Sequence, residues 1–270
     1  QIGAPAAWDV ERGDRAVIVA VLDSGIDLDH PDLAGQLWTN AGETPANGVD
    51  DDGNGCVDDV HGCHYYLGWN GVEHVPMQDG NVADDYGHGT HVAGIAGAAT
   101  DNGVGVAGVA GATLMPAKVL DQFGNGYYSD VALAIIYAVD HGARVLNLSL
   151  GGTQPSETLA LAVDYAVERG ALVVAAAGNT GGAVLFPAAL PGVVAVAATA
   201  PNDFRDSFSN YGPAIDIAAP GTEIYSTWYR DNYFTRSGTS MAAGYVSGAA
   251  ALLWSARPAL SAAGVRAALL

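Results

Sequence analysis

Residues 235–254 read Thr-Arg-Ser-Gly-Thr-Ser-Met-Ala-Ala-Gly-Tyr-Val-Ser-Gly-Ala-Ala-Ala-Leu-Leu-Trp. After Thr239 the run is uncharged and rich in alanine, which predicts a helix that is apolar on all sides and therefore buried. Gly244 and Gly248 share one face, where a neighbouring element can approach closely. Ser240 is expected at the helix N-terminus, where unpaired N–H groups and the helix dipole favour negative charge. This position suits a nucleophile that carries an acyl group, although for this motif alone a helix cap is the favoured explanation of the serine.

The composition restricts the class of protein. The 270 residues include 29 Asp and Glu against 10 Lys and Arg, a net charge of −19. Such a surface repels phosphates, so nucleic acid is not expected as a partner. The acidity instead fits divalent cations, high solubility or a salty habitat. No apolar run reaches the ~18 residues of a membrane span, so no membrane partner is expected.

Apolar runs alternate with helical patterns along the chain, which predicts a doubly wound α/β fold with a mostly parallel sheet flanked by helices. The clearest buried strand is Val17–Leu22, and it ends at Asp23, at the edge where open α/β sheets place their sites. No repeat or linker divides the chain, so we expect a single domain over residues 1–270. The other predicted strands are 104–109, 114–120, 145–150, 172–177 and 193–198, and the predicted helices are 129–141 and 158–169.

The segment 38–64 is acidic and rich in glycine. Near its middle Asp50, Asp52 and Asn54 alternate before a glycine, as in the first half of an EF-hand loop. The closing glutamate of an EF-hand and its flanking helices are missing, so we expect a calcium loop without EF-hand helices. A solvated acidic loop is the alternative. Because five carboxylates within ten residues repel one another, the pattern favours a cation.

The two cysteines of the chain, Cys56 and Cys63, lie in the same segment. They are predicted to form one disulfide. Free thiols are one alternative, and a zinc site with His61 and His64 is another. The usual Cys-x-x-Cys pair of a zinc site is absent.

Four polar residues stand at predicted strand ends or helix starts: Asp23, His88, Asn179 and Ser240. A carboxylate, a base, an amide donor and a nucleophile are the groups that acyl transfer needs. The segments Val-Leu-Asp-Ser-Gly-Ile-Asp (21–27), His-Gly-Thr-His-Val-Ala-Gly (88–94), Ala-Ala-Gly-Asn (176–179) and Ser-Gly-Thr-Ser-Met-Ala (237–242) resemble the motifs of the subtilisin-like serine peptidases, or subtilases. The order Asp, His, Ser also matches, and the resemblance runs from about Ile2 to the end of the chain.

The resemblance implies a role for each of these residues. Ser240 corresponds to the nucleophile, and His88 to the general base that later acts as the acid. Asp23 corresponds to the carboxylate that orients His88, and Asn179 to the side-chain donor of the oxyanion hole. His91 then becomes a packed helix residue; the alternative, a metal pair with His88, lacks an accompanying glutamate motif.

Relatives of this kind bind substrate as an added strand between two edges. Here Gly124-Asn125-Gly126 resembles one edge and Ser149-Leu150-Gly151 the other. Tyr128, Val131 and Leu150 match the pocket for the fourth residue before the cut, and Leu120 is a further expected substrate-binding residue. The first pocket holds the residue directly before the cut, and the positions that match it are Gly152, Ala176, Ala177, Gly178 and Leu185. Because none of these is acidic, we expect broad specificity that leans to apolar or aromatic residues before the cut.

The resemblance also implies one to three structural Ca²⁺ sites. The first would use Asp32, Asn102 and the carbonyls of Thr100, Val104 and Val106. The second would use Asp216 with the carbonyls of Ala188, Leu190 and Val193. The third is the acidic insert of a subset of subtilases, with Asp50, Asp52, Asn54, the Cys56 carbonyl and Asp59.

Two features depart from the family pattern. Gly244-Tyr245 replaces the Pro-His of most members, and the chain stops at Leu270, before relatives finish. We expect a secreted, monomeric, calcium-stabilised serine endopeptidase that acts on proteins and peptides and matures with the help of its own prodomain. The alternatives are a processing peptidase or peptide ligase with the same groups, and a non-catalytic calcium-binding module on a decayed peptidase fold.

Overall fold

A computed structural model describes residues 2–270. Helices and strands alternate along most of this range. The strands are β1 Ile18–Asp23, β2 His64–Trp69, β3 His74–Asp79, β4 Thr113–Lys118, β5 Val145–Leu148, β6 Leu172–Ala176, β7 Val194–Thr199, β8 Ile217–Pro220, β9 Ile224–Trp228 and β10 Asn232–Arg236. The helices are α1 Ala4–Trp8, α2 His88–Gly97, α3 Tyr128–Asp140, α4 Glu157–Glu168, α5 Thr239–Ala256 and α6 Ala262–Leu269.

Eight strands form the main sheet, in the order β3-β2-β4-β1-β5-β6-β7-β8. All neighbouring pairs are parallel except β2 and β3. Strand β1 lies between β4 and β5, and Asp23 at its carboxyl end is in register with Lys118. The predicted doubly wound, mostly parallel α/β architecture is confirmed.

The side chains of β1 separate the two cores of the sheet. Val19 and Val21 belong to the core under α2 and α5, whereas Ala20 and Leu22 belong to the core under α3 and α4. Because successive residues of a strand point to opposite faces, a fully apolar run is needed where both faces are covered. This explains why the run 17–22 contains no polar residue.

Helix α5 is buried along most of its length, as predicted. A Cβ on Gly248 would lie 2.7 Å from the Ala96 carbonyl oxygen and 2.6 Å from the Val109 Cβ. A Cβ on Gly244 would lie 3.2 Å from Ile95. The two glycines therefore allow α2 and the segment after it to approach α5 closely.

The predicted strand Val104–Val109 is wrong, since this segment is a loop. Its backbone amides pair with the end of α2: Val109 donates to the Ile95 carbonyl at 3.0 Å and Gly108 to the Ala98 carbonyl at 3.0 Å. Runs rich in valine are typical of strands, which is why the sequence alone predicts one here. Here the last carbonyls of a helix, which have no partner within it, are paired instead.

Cys56 and Cys63 form a disulfide with a Cα–Cα distance of 6.2 Å. Both are completely buried, and they pack with Tyr65 and Met115. The disulfide prediction is confirmed, and zinc ligation by these two sulfurs is excluded because both are bonded. Among residues 2–270, no helix is at once long and apolar enough to span a bilayer.

Candidate active site

Three elements of the fold bring the central polar residues together. Asp23 is the last residue of β1, His88 is the first residue of α2, and Ser240 is the second residue of α5. Strand β1 ends where α2 begins because parallel strands place their carboxyl ends at one edge of the sheet. Ser240 is only 7% exposed.

His88 and Asp23 are joined by short hydrogen bonds. The His88 Nδ1 lies 2.7 Å from Asp23 Oδ1 and 2.9 Å from Oδ2. Because a carboxylate only accepts, Nδ1 carries the proton and Nε2 keeps a free lone pair in the neutral ring. Burial alone would lower the pKa of His88, but the charge and the hydrogen bond of Asp23 outweigh it and the pKa is raised. The arrangement therefore stabilises an imidazolium at this position.

Asp84 braces this pair, and sequence reasoning missed it. Its carboxylate accepts from the Ser24 hydroxyl at 2.9 Å and from the Gly87 backbone at 2.8 Å. It also accepts from the backbone and the hydroxyl of Thr90, at 3.0 and 2.5 Å. Asp84 thus ties the loop after β1 to the start of α2. An acidic residue just before a predicted helix start was the available signal.

The first turn of α2 and the turn after β1 meet so closely that position 89 requires glycine. A Cβ on Gly89 would lie 2.1 Å from the Gly25 carbonyl oxygen. This close approach holds the first turn of α2 against the turn that follows Asp23. The distance between the Asp23 and His88 side chains is therefore set by backbone packing.

The Ser240 hydroxyl donates to the Ser149 carbonyl at 3.2 Å. The Ser149 hydroxyl in turn donates to the Ser240 carbonyl at 3.0 Å. Within residues 2–270, the structure contains no hydrogen bond between Ser240 and His88. Catalytic hydrogen bonds frequently tighten only when substrate is bound, so this geometry is compatible with both serving one reaction.

Asn179 has its amide orientation set by Thr239. The Thr239 backbone N–H donates to Asn179 Oδ1 at 2.8 Å, and the Thr239 hydroxyl lies 3.0 Å from the same atom. Because a backbone N–H can only donate, the contacted atom must be the oxygen, and the NH₂ group faces the other way. A Cβ on Gly238 would lie 3.4 Å from that nitrogen. The amide donor thus lies beside the N-terminus of α5.

A cleft of about 330 Å³ adjoins His88. It brings together nine of the predicted substrate-binding residues: Leu120, Gly124, Asn125, Gly126, Tyr128, Val131, Ser149, Leu150 and Gly151. Tyr86 and Tyr127 also line it and were not predicted. The two predicted edges therefore line the same cleft.

The remaining predicted positions form a contiguous wall beyond this cleft. Gly152 and Phe186 exchange two backbone hydrogen bonds of 2.9 Å, and the Leu185 N–H donates to the Ala177 carbonyl at 3.0 Å. Cβ atoms added at Gly151 and Gly178 would lie 3.1 and 2.8 Å from the Leu185 side chain. Ala176 and Ala177 are buried at the end of β6. This wall is apolar.

The acidic insert gathers three carboxylates. Ligand atoms of Glu43, Asp52 and Asp59 all lie within 4.8 Å of one another. Asn40 donates to Asp52 at 2.9 Å and to Asp59 at 3.0 Å, and Tyr137 donates to Asp59 at 2.5 Å. This cluster is an acidic group that could hold a metal ion, and Glu43 was not among the predicted ligands.

One atom of the cluster distinguishes it from an ordinary acidic surface. The Glu43 Oε2 is buried and has no hydrogen-bond partner among the described residues. A buried carboxylate oxygen without a donor is costly, and a hard divalent cation would satisfy it with the ligand type it prefers. The residues present therefore fit Ca²⁺.

The other predicted ligands of the insert serve its backbone. Asp50 accepts from the N–H groups of Gly53 at 2.8 Å and Gly55 at 2.8 Å. Asn54 donates from its side chain to Asp59 at 2.9 Å and accepts from the Cys56 N–H at 2.8 Å. Asp50 and Cys56 lie outside the three-carboxylate cluster.

The two remaining predicted calcium positions fit a cation less well. Both Asp32 oxygens already accept hydrogen bonds, from Asn102 at 2.7 Å, Val106 at 2.8 Å and Tyr233 at 2.9 Å. The Asp216 carboxylate is paired with Arg266 at 2.8 Å, so a side chain already supplies the positive charge there. The predicted carbonyl positions of these two sites are Thr100, Val104 and Val106 for the first, and Ala188, Leu190 and Val193 for the second.

Comparison with known proteins agrees with this geometry. A family model described as the subtilase family matches residues 14–270. The chain is 43% identical to thermitase of Thermoactinomyces vulgaris over 271 residues, which covers 100% of this chain and 85% of that protein.

Two further relatives are longer proteins. The chain is 44% identical to halolysin of Haloferax mediterranei, over 93% of this chain and 44% of that protein. It is 43% identical to a thermophilic serine proteinase of Bacillus sp. strain AK1, over 92% of this chain and 54% of that protein. The chain spans about half the length of these two relatives. On this evidence the chain belongs to the subtilase family, the subtilisin-like serine endopeptidases.

Proposed function

We propose that this chain is a secreted, calcium-stabilised endopeptidase that cleaves peptide bonds through an acyl-enzyme on Ser240. The observation that carries the proposal is the pair of hydrogen bonds from the His88 Nδ1 to the buried Asp23 carboxylate. This pair leaves the opposite ring nitrogen free to take a proton. Ser240 lies in the first turn of α5, whose N-terminus would face the resulting negative charge.

In the first step the Ser240 oxygen attacks the carbonyl carbon of the scissile bond while its proton passes to the His88 Nε2. The Asp23 carboxylate stabilises the imidazolium that forms. His88 then gives this proton to the leaving amine as the C–N bond breaks. In the second step water attacks the acyl carbon and gives a proton to His88. His88 then returns this proton to the Ser240 oxygen as the bond between that oxygen and the acyl carbon breaks, which releases the acid and restores the free serine.

The negative charge on the carbonyl oxygen would be held by the Asn179 NH₂ group and by the Ser240 backbone N–H. The Thr239 contact fixes the Asn179 amide before the reaction, so no reorientation is needed when charge develops. Such preorganised donors stabilise the transition state more than the bound substrate.

Substrate would add as a strand between residues 124–126 and 149–151, which line the same cleft. Leu185 and its glycine neighbours give the wall beside the cut an apolar surface without acidic groups. We therefore propose broad specificity, with Phe, Tyr, Leu or Met favoured before the cut.

Calcium would bind at Glu43, Asp52 and Asp59, where it would offset most of the repulsion among three like charges. The Cys56–Cys63 disulfide and the hydrogen bond from Tyr137 connect this insert to the core. Bound Ca²⁺ would thus stabilise the fold without touching the reacting groups.

Secretion is supported by two observations. Cys56 and Cys63 form a disulfide, and disulfides persist mainly in oxidising compartments. The chain is also 39% identical over 262 residues to a protein of Natrialba magadii named a halolysin-like extracellular serine protease.

We further propose that residues 1–270 act as one monomeric peptidase domain, matured by its own prodomain. One continuous eight-stranded sheet supports the single domain.

Labelling with a fluorophosphonate, followed by peptide mapping and hydrolysis of a peptide library, tests the proposed function. Wild type should be modified at Ser240, and Ser240→Ala should lose both labelling and hydrolysis. Asn179→Ala should lower kcat by ~10²–10³ and leave KM nearly unchanged, because its hydrogen bond forms only with the oxyanion. Efficient hydrolysis by Ser240→Ala would refute the proposal.

A further inference from the structure

Lys118 is the single lysine of the chain, and it is only 3% exposed. It is the last residue of β4 and is in register with Asp23, so both residues lie at the carboxyl edge of the sheet. Because a buried ammonium is costly unless it is paired, such a position requires specific partners. No step of the proposed reaction uses this charge.

The ammonium group of Lys118 joins the two loops that carry the Asp23–His88 pair. Its Nζ donates to the Ser24 carbonyl at 2.6 Å and to Asp85 Oδ1 at 2.7 Å. Ser24 directly follows Asp23, and Asp85 lies three residues before His88. One buried side chain thus connects the turn after β1 to the loop before α2.

Ser24 is held through all of its polar groups. Its backbone N–H donates to Asp23 Oδ1 at 2.7 Å, and its hydroxyl accepts from the Gly89 N–H at 2.9 Å. Its carbonyl is the group that Lys118 contacts. Because Asp23 Oδ1 also accepts from His88 Nδ1 at 2.7 Å, the position of Ser24 affects the orientation of the pair.

The charge of Lys118 is balanced only in part by its partner. The Asp85 side chain is 52% exposed, whereas that of Lys118 is 4% exposed. Solvent therefore screens the carboxylate more than the ammonium. The neighbouring histidine of β2 shows the difference. Burial lowers the pKa of His64, the charge of Asp79 raises it, that of Lys118 lowers it, and Asp85 raises it least.

Charges of both signs already act on His88. The ionisable groups that face it are Asp23, Asp84, Tyr86, His91 and Arg236. Burial lowers its pKa, Asp23 and Asp84 raise it, and Arg236 lowers it. A nearby cation disfavours an imidazolium, so a buried ammonium beside this set favours the neutral ring, and loss of that ammonium favours the protonated one.

The geometry points to Lys118 as a positioning residue of the reaction: its ammonium fixes the Ser24 carbonyl beside Asp23, and its buried charge makes His88 bind a proton less tightly. Lys118 acts through these groups, since it is not among the residues that line the cleft. The inference rests on the proposed peptidase function and adds to it a residue that tunes the base. A general base is most efficient when its pKa lies near the working pH, so this charge keeps His88 available at neutral pH.

The test measures kcat and kcat/KM against pH with a quenched fluorescent peptide, with active sites titrated by a fluorophosphonate. The acidic limb of kcat/KM reports the pKa of His88 in the free enzyme. Lys118→Met should raise this pKa by about half a unit, because it removes the cation and leaves Asp85 charged. It should also lower kcat by about tenfold with little change in KM, because the Ser24 carbonyl loses its donor.

Three further variants separate charge from position. Lys118→Arg keeps the charge, so the pKa should stay at the wild-type value even where kcat falls. Asp85→Asn removes the balancing charge, although its amide oxygen can still accept from Lys118, so the pKa should fall. This variant leaves the buried lysine intact and therefore carries the test even if Lys118→Met does not fold. The double variant Lys118→Met/Asp85→Asn should return the pKa towards the wild-type value while kcat stays low.

Arg169→Met is the matched control. Arg169 is paired with Asp140 at 3.7 Å, so the substitution removes an equal charge from an ion pair. Arg169 lies just before β6, and β6 runs parallel to β5 and β1, so it is at the edge of the sheet opposite to Asp23. The pKa of the acidic limb should not move in this variant.

Several results would overturn the assignment. They are an unchanged pKa in both Lys118→Met and Asp85→Asn, shifts of the same sign in these two variants, an equal shift in Arg169→Met, or a wild-type kcat in Lys118→Met. A wild-type protein that neither cleaves the peptide nor is labelled at Ser240 would instead refute the proposed function itself, and the assignment with it.

Discussion

His91 should make the fold sensitive to acid, through a group that takes no part in the reaction. It lies one turn after His88 on α2 and is completely buried. Because its Nε2 faces the carbonyl oxygens of Phe234 and Ile224, that nitrogen must carry the proton. The other nitrogen, Nδ1, is buried without a hydrogen-bond partner among residues 2–270. Burial lowers the pKa of His91 from 6.5 to about 4.

The magnitude follows from this difference in pKa. Between about pH 6.5 and pH 4 the unfolded chain binds a proton at this histidine and the native chain does not. The free energy of unfolding therefore decreases as the pH falls through this window. Each pKa unit corresponds to about 1.4 kcal/mol, so the full loss is about 3 kcal/mol. Above pH 6.5 His91 is neutral in both states, so none of this stability is lost.

The assay is denaturant unfolding of the Ser240→Ala protein, which prevents autolysis, with and without His91→Gln. Glutamine keeps an N–H donor for the two carbonyls but has no proton to gain. We expect His91→Gln to be less stable at about pH 7 and to lose about 3 kcal/mol less than its parent on acidification to about pH 4. His74→Gln, at an exposed histidine, is the control and should follow the parent. Parallel pH dependences for parent and His91→Gln would refute the reasoning.

Two further predictions concern the insert and the first pocket. Glu43→Gln should stabilise the calcium-free protein by relieving repulsion, and it should remove most of the gain of about 2.7 kcal/mol that Ca²⁺ at 100 times its Kd would give wild type. In a titration of Tm against Ca²⁺, Asp50→Asn should shift the midpoint concentration far less than Glu43→Gln does. A larger shift for Asp50→Asn would contradict the proposed ligands. Leu185→Asp should raise kcat/KM for Lys relative to Phe before the cut by about tenfold, roughly 1.4 kcal/mol of transition-state stabilisation. Ala183→Asp, which adds the same charge at an exposed position nearby, should not; equal profiles for both variants would remove Leu185 from the pocket.

The glycine-rich and apolar patterns of the sequence are sufficient to identify the elements that carry the site. Val17–Leu22 has no polar residue, so it had to be buried on both faces and to end at Asp23. Residues 240–254 carry no charge, so that helix had to be buried with Ser240 near its start. These predictions are correct because periodicity and polarity act over neighbouring residues, where a sequence can be interpreted directly.

Contacts between distant segments required the tertiary structure. Asp84 reaches both Ser24 and Thr90, and Glu43 joins Asp52 and Asp59, because loops of no regular pattern fold against each other. The same is true of the pairing of Arg266 with Asp216, fifty residues apart.

The valines of 104–109 show most directly where prediction from local sequence fails. Their composition is typical of a strand, yet their backbone groups pair with the end of α2. Local preference is worth only a fraction of a kcal/mol per residue, whereas an unpaired buried carbonyl costs about 1–3 kcal/mol. The sequence therefore determines the strongly patterned strands and helices, such as β1 and α5, and the packing of the whole chain decides which loop completes each set of hydrogen bonds.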